Sequence, residues 1–223
     1  GVGPEFKPVS DPARLAAMRA RLGLPPGPYI LSVGRIEPRK NLPTLVAAYG
    51  LVRERLGAAA PTLVLAGGRD SLFGEFYDRM LREGAAQGVF LPGTVPQEEL
   101  PALYAGAAAF AYPSFGEGFG LPVAEAMACG APVVASSAPA VPEVTGGAAL
   151  LVAPADTAGL AAALLRVLTD AALAGELRAK GLARARELTW DAAVALAVAA
   201  YRLAARTSLS TRTRASNSTG LDR

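Results

Sequence analysis

Short apolar runs alternate with longer amphipathic stretches from residue 29 to residue 168 of this chain. The runs at 29–33, 62–66, 89–91, 108–111, 133–135 and 149–152 are rich in β-branched and small apolar residues and bounded by Gly, Pro and polar positions, so they predict six strands. Between them, apolar residues recur at helical spacing over 42–56, 75–86, 97–105, 121–129 and 157–168. Strands separated by helices of this length build βαβ units, and the expected fold is α/β with a doubly wound parallel sheet and right-handed crossovers. Two more helices are expected at 171–187 and 190–206, the second capped by Thr189.

Past Arg206 the apolar periodicity stops, and residues 207–223 are expected to form a disordered tail. Residues 1–8 read as an inter-domain linker remnant, since no Met and no signal peptide open the chain. The expected organisation is therefore a linker at 1–8, one domain at 9–206 and the tail, cut from a larger protein. With 52% hydrophobic and 18% charged residues over 223 positions, the chain can bury one sizeable core. Its apolar stretches are too short to span a bilayer, so no transmembrane segment and a cytoplasmic location are expected.

A pI of about 9.2 suggests a polyanion partner until the charge is located. Arg206, Arg212, Arg214 and Arg223, opposed by Asp222 alone, hold the whole formal excess of +3, and residues 1–205 are neutral. A basic tail of Ser and Thr is a solvated segment rather than a nucleic-acid grip, and no nucleic-acid partner is expected. The chain has no histidine, which removes His bases, Ser–His–Asp triads and His metal sites. Its single cysteine, Cys129, excludes an intramolecular disulfide and sits in a small-residue run that reads as a helix end, hence a buried structural thiol. Chemistry must come from carboxylates, Arg, Lys and backbone amides.

In an open parallel sheet, ligands bind outside the carboxyl ends of the strands. The loops leaving those ends carry Gly34-Arg35-Ile36-Glu37-Pro38-Arg39-Lys40-Asn41, Gly67-Gly68-Arg69-Asp70, Pro92-Gly93-Thr94-Val95-Pro96 and the glycine-rich run from Tyr112 to Pro122. Gly116, Gly118 and Gly120 let backbone amides approach a ligand, and they run into a helix near Leu121 with Pro122 in its first turn. A helix N-terminus of this kind favours anions, and Arg35 and Lys40 add two cations from the first loop, making a candidate diphosphate cradle. Glu117 and Glu125 flank it. Carboxylates beside a phosphate site suit sugar hydroxyls, which a nucleotide sugar carries on both sides of its diphosphate. Taken singly, Glu125 reads equally well as a solvated helix residue, and Arg35 or Lys40 as surface charges; convergence of the loops is what favours the site. The chain lacks a G-x-G-x-x-G after its first strand and a G-x-x-x-x-G-K-[ST] run anywhere, which removes dinucleotide and P-loop readings.

Glu117-Gly118-Phe119-Gly120-Leu121-Pro122-Val123-Ala124-Glu125 resembles the Glu-x7-Glu signature of glycosyltransferase family 4. Gly34 through Asn41, Gly93-Thr94-Val95, Pro142-Glu143-Val144 and Leu151-Val152-Ala153-Pro154 follow in the family's order. The resemblance implies a Rossmann-like donor-binding domain, one half of a two-domain GT-B architecture, in a retaining hexosyltransferase that needs no metal. It implies that Arg35 and Lys40 hold the diphosphate, that Glu117 binds the donor sugar and Glu125 the ribose, and that Gly34, Gly118, Phe119, Gly120 and Leu121 line the donor site. Backbone near Val95 meets the base. The acceptor, a glycan, lipid or small molecule, would sit on the missing N-terminal domain, leaving this part inactive alone; the full-length enzyme could be peripheral to a membrane. The motifs look closest to mannosyltransferase-like members. The competing expectations are half of a non-hydrolysing sugar-nucleotide epimerase, disfavoured by the absence of histidine, and a non-catalytic nucleotide-sugar-binding module, disfavoured by the intact Arg35, Lys40, Glu117 and Glu125.

Overall fold

A computed structural model describes the backbone of residues 1–68 and 71–217, and the side chains of these apart from residues 71, 85, 86 and 205–217. Six strands, β1 (Tyr29–Val33), β2 (Thr62–Ala66), β3 (Val89–Gly93), β4 (Ala109–Tyr112), β5 (Val133–Ser136) and β6 (Ala149–Val152), form one sheet in the order β3-β2-β1-β4-β5-β6. Every pairing is parallel, with Leu31 opposite both Val64 of β2 and Phe110 of β4. This is the doubly wound, Rossmann-like sheet expected from the alternation of strands and helices. The order reverses between β1 and β4, so the chain leaves their carboxyl ends in opposite directions and opens a crevice there.

Alternation along each strand divides the core in two. Leu31, Val64, Phe110 and Val133 belong to a cluster completed by Met18, Leu103, Tyr104, Val123, Met127 and Val141. Ile30, Leu63, Ala109 and Val134 belong to a second cluster with Leu45, Val52, Met80, Leu160 and Leu164. The first cluster is covered by α1 (Pro12–Leu22), α4 (Leu100–Ala105), α5 (Leu121–Ala128) and α6 (Val141–Thr145), the second by α2 (Leu42–Leu56), α3 (Gly74–Ala86) and α7 (Thr157–Thr169). Helix α8 (Ala171–Ala185), capped by Asp170 through a 2.9 Å bond to the Leu173 amide, closes the sheet's end against α5 and α7.

Several elements depart from the sequence expectation. Helix α1 has an Asp11 cap and a left-handed Gly23 stop, but it buries only Met18 completely, a stripe too narrow to read as helical periodicity. The short α6 is likewise unanticipated. The helix expected over 97–105 is a 3-10 turn at Gln97–Glu99 followed by α4. Residues 1–8, whose linker reading says nothing of their contacts, pack on the domain: the Val2 amide donates to Leu188 O at 2.7 Å, and Phe6 meets the Tyr104 ring edge-on at 6.1 Å. The last helix, α9 (Trp190–Asn217), runs past Arg206 because no Gly or Pro interrupts it. Residues 218–223 of the tail expected over 207–223 lie outside the described residues. Helix α9 holds Trp190, Leu196, Tyr201 and Leu203 in solvent. No single helix among the described residues is long and apolar enough to cross a membrane.

One buried side chain ties the loops at the sheet's carboxyl edge. Asn41 is left-handed at φ 54° and 2% exposed; its amide nitrogen donates to Pro113 O at 3.0 Å and Pro154 O at 2.7 Å, while its oxygen accepts from the Thr44 hydroxyl at 2.7 Å. Replacing Asn41 by Ala removes these bonds and places a Cβ residue without a local polar group in a left-handed turn. The expected destabilisation is about 2–4 kcal/mol by urea unfolding, and an unchanged midpoint would show that the loops are not held through this side chain.

Candidate functional site

The loop after β1 and the loop after β4 face each other across the crevice. Gly34, at φ 147°, turns the chain out of β1, and a Cβ there would lie 3.3 Å from Lys40 Cε. Its carbonyl is pressed against Gly67, where an added Cβ would come within 1.9 Å of the oxygen, so the loops after β1 and β2 require glycine to pass. A 3-10 turn at Pro38–Lys40 then throws Arg39 and Lys40 toward the glycine loop. The two loops are joined by backbone as well: the Phe115 amide donates to Arg39 O at 3.0 Å.

Glu117 is the centre of the arrangement. Its carboxylate is 7% exposed, with one oxygen 2.8 Å from Lys40 Nζ and the other 2.5 Å from an Arg39 guanidinium nitrogen. Lys40, 11% exposed, also donates to the Tyr112 hydroxyl at 2.9 Å and lies 5.0 Å from the centre of that ring. Burial pushes the Glu117 carboxyl up, but hydrogen bonds from Lys40 and Arg39, the nearby Ser114 hydroxyl and the charge of Lys40 outweigh it, and the group sits below the usual carboxylate range. Burial, with the Glu117 charge, drives Tyr112 well above its ordinary value, so its hydroxyl stays protonated. Ser114 Oγ lies beside both groups and is fully buried, yet it makes no well-formed hydrogen bond. The Ser114 carbonyl is held by Ser136 Oγ of β5 at 2.6 Å.

Beyond Glu117 the surface opens. A Cβ added at Gly116 or Gly118 would meet nothing within 4 Å, and Phe119 and Leu121 are 41% and 40% exposed. Gly120, at φ 99°, turns the chain into α5, where the Val123 and Ala124 amides donate to Gly120 O at 2.9 and 3.3 Å. Glu125, one turn in, is half-buried and accepts a 2.8 Å hydrogen bond from the Tyr104 hydroxyl. Burial raises the Glu125 carboxyl, with a further push from the charge of Glu5, and the bond from Tyr104 only partly offsets this. Val95 follows Gly93 and Thr94 at the end of β3, half-buried against the core. Cys129 is buried, and burial pushes its thiol up to about 12, so it is the inert structural thiol expected.

Lys40 and Glu117 are thus paired beside the open glycines, and Glu125 lies one turn into α5. Arg35 is exposed on the same loop. The residue that sequence reasoning missed is Arg39. It stood in the quoted loop as one of three basic residues, and nothing in their spacing says which side chain turns onto Glu117. Among the described residues, no group of three or more His, Cys, Asp or Glu side chains is placed to hold a metal ion.

A doubly wound sheet with polar loops at its switch point is an open α/β domain whose ligand crevice lies at that edge. The comparisons with known proteins narrow this. Residues 27–170 match the family described as Glycosyl transferases group 1, and the chain belongs to that family. It is 41% identical over 178 residues to the O-antigen chain mannosyltransferase B of Escherichia coli, covering 78% of this chain and 46% of that protein. Sucrose-phosphate synthase from Thermosynechococcus elongatus superposes with a TM-score of 0.71 at 33% identity, over 91% of this chain and 50% of that one. HepE of Anabaena, solved with UDP and glucose, shares the fold with a TM-score of 0.75 at 22% identity, over 90% of this chain and 54% of its own. The chain spans about half the length of these proteins. Its sheet is the Rossmann-like half of a GT-B architecture.

The two glutamates titrate in opposite directions, and their removal should act oppositely on stability. Glu117, lowered in the fold, stabilises it above the unfolded value of about 4.5, and this is lost as pH falls through the folded value. Glu125, raised in the fold, destabilises it as pH rises past its unfolded value. Glu117→Gln is therefore expected to lower, and Glu125→Gln to raise, the urea midpoint at pH 7; the first difference shrinks as pH falls below about 4.5, and the second shrinks as pH falls from the raised folded value towards 4.5 and is gone below it. Shifts of the same sign for the two variants would contradict this assignment.

Proposed function

We propose that this chain, over residues 9–206, is the donor-binding half of a retaining glycosyltransferase that moves a hexose from a nucleotide-diphosphate sugar. The carrying observation is the Lys40–Glu117 pair, set at the sheet's switch point beside open glycines and the start of α5. A half-buried lysine beside an open glycine loop offers charge to a diphosphate, and a carboxylate beside it offers acceptors to hydroxyls. In this reading Lys40 and Arg35 take the diphosphate, with Gly34 and the backbone of Gly118, Phe119, Gly120 and Leu121 lining it. Glu117 accepts hydroxyls of the hexose, Glu125 those of the ribose, and backbone at Val95 meets the base.

Glu125 suits the ribose because its carboxylate has one protein donor and spare acceptor capacity in a half-buried place. Two ribose hydroxyls would supply the donors that burial has removed. Catalysis would rest on preorganised charge: as the glycosidic bond to the diphosphate breaks, negative charge grows on the leaving oxygen, and Lys40 and Arg35 stabilise it. A cation already fixed in place does this without reorganising during the step. No metal is needed in this scheme: the anomeric C–O bond to the diphosphate breaks, an acceptor hydroxyl bonds to that carbon on the same face, with retention, and the hydroxyl proton passes to the departing phosphate oxygen.

The mannosyl donor is favoured by the 41% identical O-antigen chain mannosyltransferase. The acceptor, whether glycan, lipid or small molecule, would be bound by a second domain facing the crevice, and this chain alone would not turn over. The whole enzyme would work in the cytoplasm, peripheral to the membrane if its acceptor is a lipid.

Calorimetric titration of the chain with UDP, GDP and ADP tests the reading. One of the three is expected to bind, and Lys40→Ala to weaken it about tenfold to a hundredfold through loss of charge-assisted hydrogen bonds. No binding of any of them would overturn the donor-site assignment, and binding unaffected by Lys40→Ala would remove the lysine from it.

A further inference from the structure

Glu117 is held by two cations, one on each oxygen, and the two are not equivalent. Lys40 is 11% exposed, and its ammonium is also held by the Tyr112 hydroxyl and lies 5.0 Å from the centre of that ring. Arg39 is 49% exposed, and its guanidinium is committed to protein on both terminal nitrogens. One donates to Glu117 at 2.5 Å and to Gly116 O at 3.1 Å, and the other to Glu37 at 2.6 Å. Arg39 O accepts from the Phe115 amide as well. Arg39 therefore grips the glycine loop at three successive residues, 115, 116 and 117, and Glu37 braces it from its own loop.

A diphosphate arriving at Lys40 competes for the ammonium that Glu117 now uses. The carboxylate would then lose one of its two cations while two phosphates come close. A nearly buried carboxylate in that position is pushed away or protonated unless another cation keeps it in place. Arg39 is placed to do so, since it holds the other carboxylate oxygen and is itself fixed by Glu37 and the Gly116 carbonyl. We infer that Arg39 is a positioning residue that keeps the Glu117 carboxylate turned toward the hexose hydroxyls once the diphosphate has taken Lys40, and so couples phosphate binding to reading of the sugar. This rests on the donor-site reading given above.

The planar fork of arginine is required for this, since it bridges Glu37 and Glu117 while also meeting the Gly116 carbonyl. A lysine at 39 could satisfy only part of the set. The role makes a specific demand on binding. Arg39 should contribute to the added affinity conferred by the hexose, and little to that of the bare nucleoside diphosphate.

The test is calorimetry of the 223-residue chain with UDP, GDP and ADP and with their hexose conjugates, for the wild type, Arg39→Ala, Arg39→Lys, Glu117→Ala and the Arg39→Ala/Glu117→Ala pair. For the nucleotide that binds, Arg39→Ala is expected to leave the bare diphosphate within about threefold of wild type and to reduce the hexose increment about tenfold, the size of one charge-assisted bond. Arg39→Lys should recover part of that increment. The double variant should lose no more than Glu117→Ala alone, because the two residues act as one unit. Equal weakening of diphosphate and conjugate by Arg39→Ala would overturn the inference and make Arg39 a phosphate ligand or a general prop of the loop. Additive losses, an unchanged increment, or a wild type that binds diphosphate and conjugate equally would overturn it too, with the donor site standing. Failure of the wild type to bind any of the six ligands would instead remove the donor reading itself.

Discussion

The structure turns on a charge balance at one place: a nearly buried carboxylate shared between a lysine and an arginine where the sheet reverses its strand order. Parallel strands send all their carboxyl ends to one edge, and the reversal between β1 and β4 leaves a gap there that helices do not fill. Glu117 enters that gap from the loop after β4, and Arg39 and Lys40 from the loop after β1. Neither side could be buried alone, since an unpaired charge in such a place is strongly penalised. The pairing joins two loops far apart in sequence, and Asn41 fastens the same region to the loops at Pro113 and Pro154 from below.

The second glutamate shows how differently the same side chain behaves eight residues on. Glu117 has two cations and stays ionised easily; Glu125 has a neutral phenol and a neighbouring negative charge, and its ionised form is disfavoured. A signature that reads as two equivalent acids thus becomes, in the fold, one satisfied carboxylate and one that is short of donors.

Much of this was legible in the residue order. The strands at 29–33, 62–66 and 149–152 and the helix at 42–56 are where the hydrophobic pattern puts them, because each is bounded by a Gly or Pro stop or a clear change of period. The glycine loop and Lys40 were legible as well, since glycines running into a helix and a basic residue on the facing loop are local facts. Helix α1 was not, because one buried methionine in eleven residues leaves no periodic stripe. Nor was the role of Arg39. Arg35, Arg39 and Lys40 are chemically similar on paper, and the side chain that reaches Glu117 is selected by the 3-10 turn at Pro38 and the left-handed Asn41 that ends it. Packing of residues 1–8 against Tyr104 and Leu188 is likewise a long-range outcome that no local pattern announces.

Because Lys40 already has a carboxylate for company, the crevice does not present a bare positive charge to the solvent. A stray inorganic anion would have to break the internal pair for one bond in return, with no hydroxyls to offer the carboxylate it displaces. A ligand carrying both anionic oxygens and neighbouring hydroxyls can compensate both halves of the broken pair at once. In the proposed donor site, the pairing of Lys40 with Glu117 would therefore act as a filter against the abundant small anions around any protein, favouring molecules in which charge and sugar are joined.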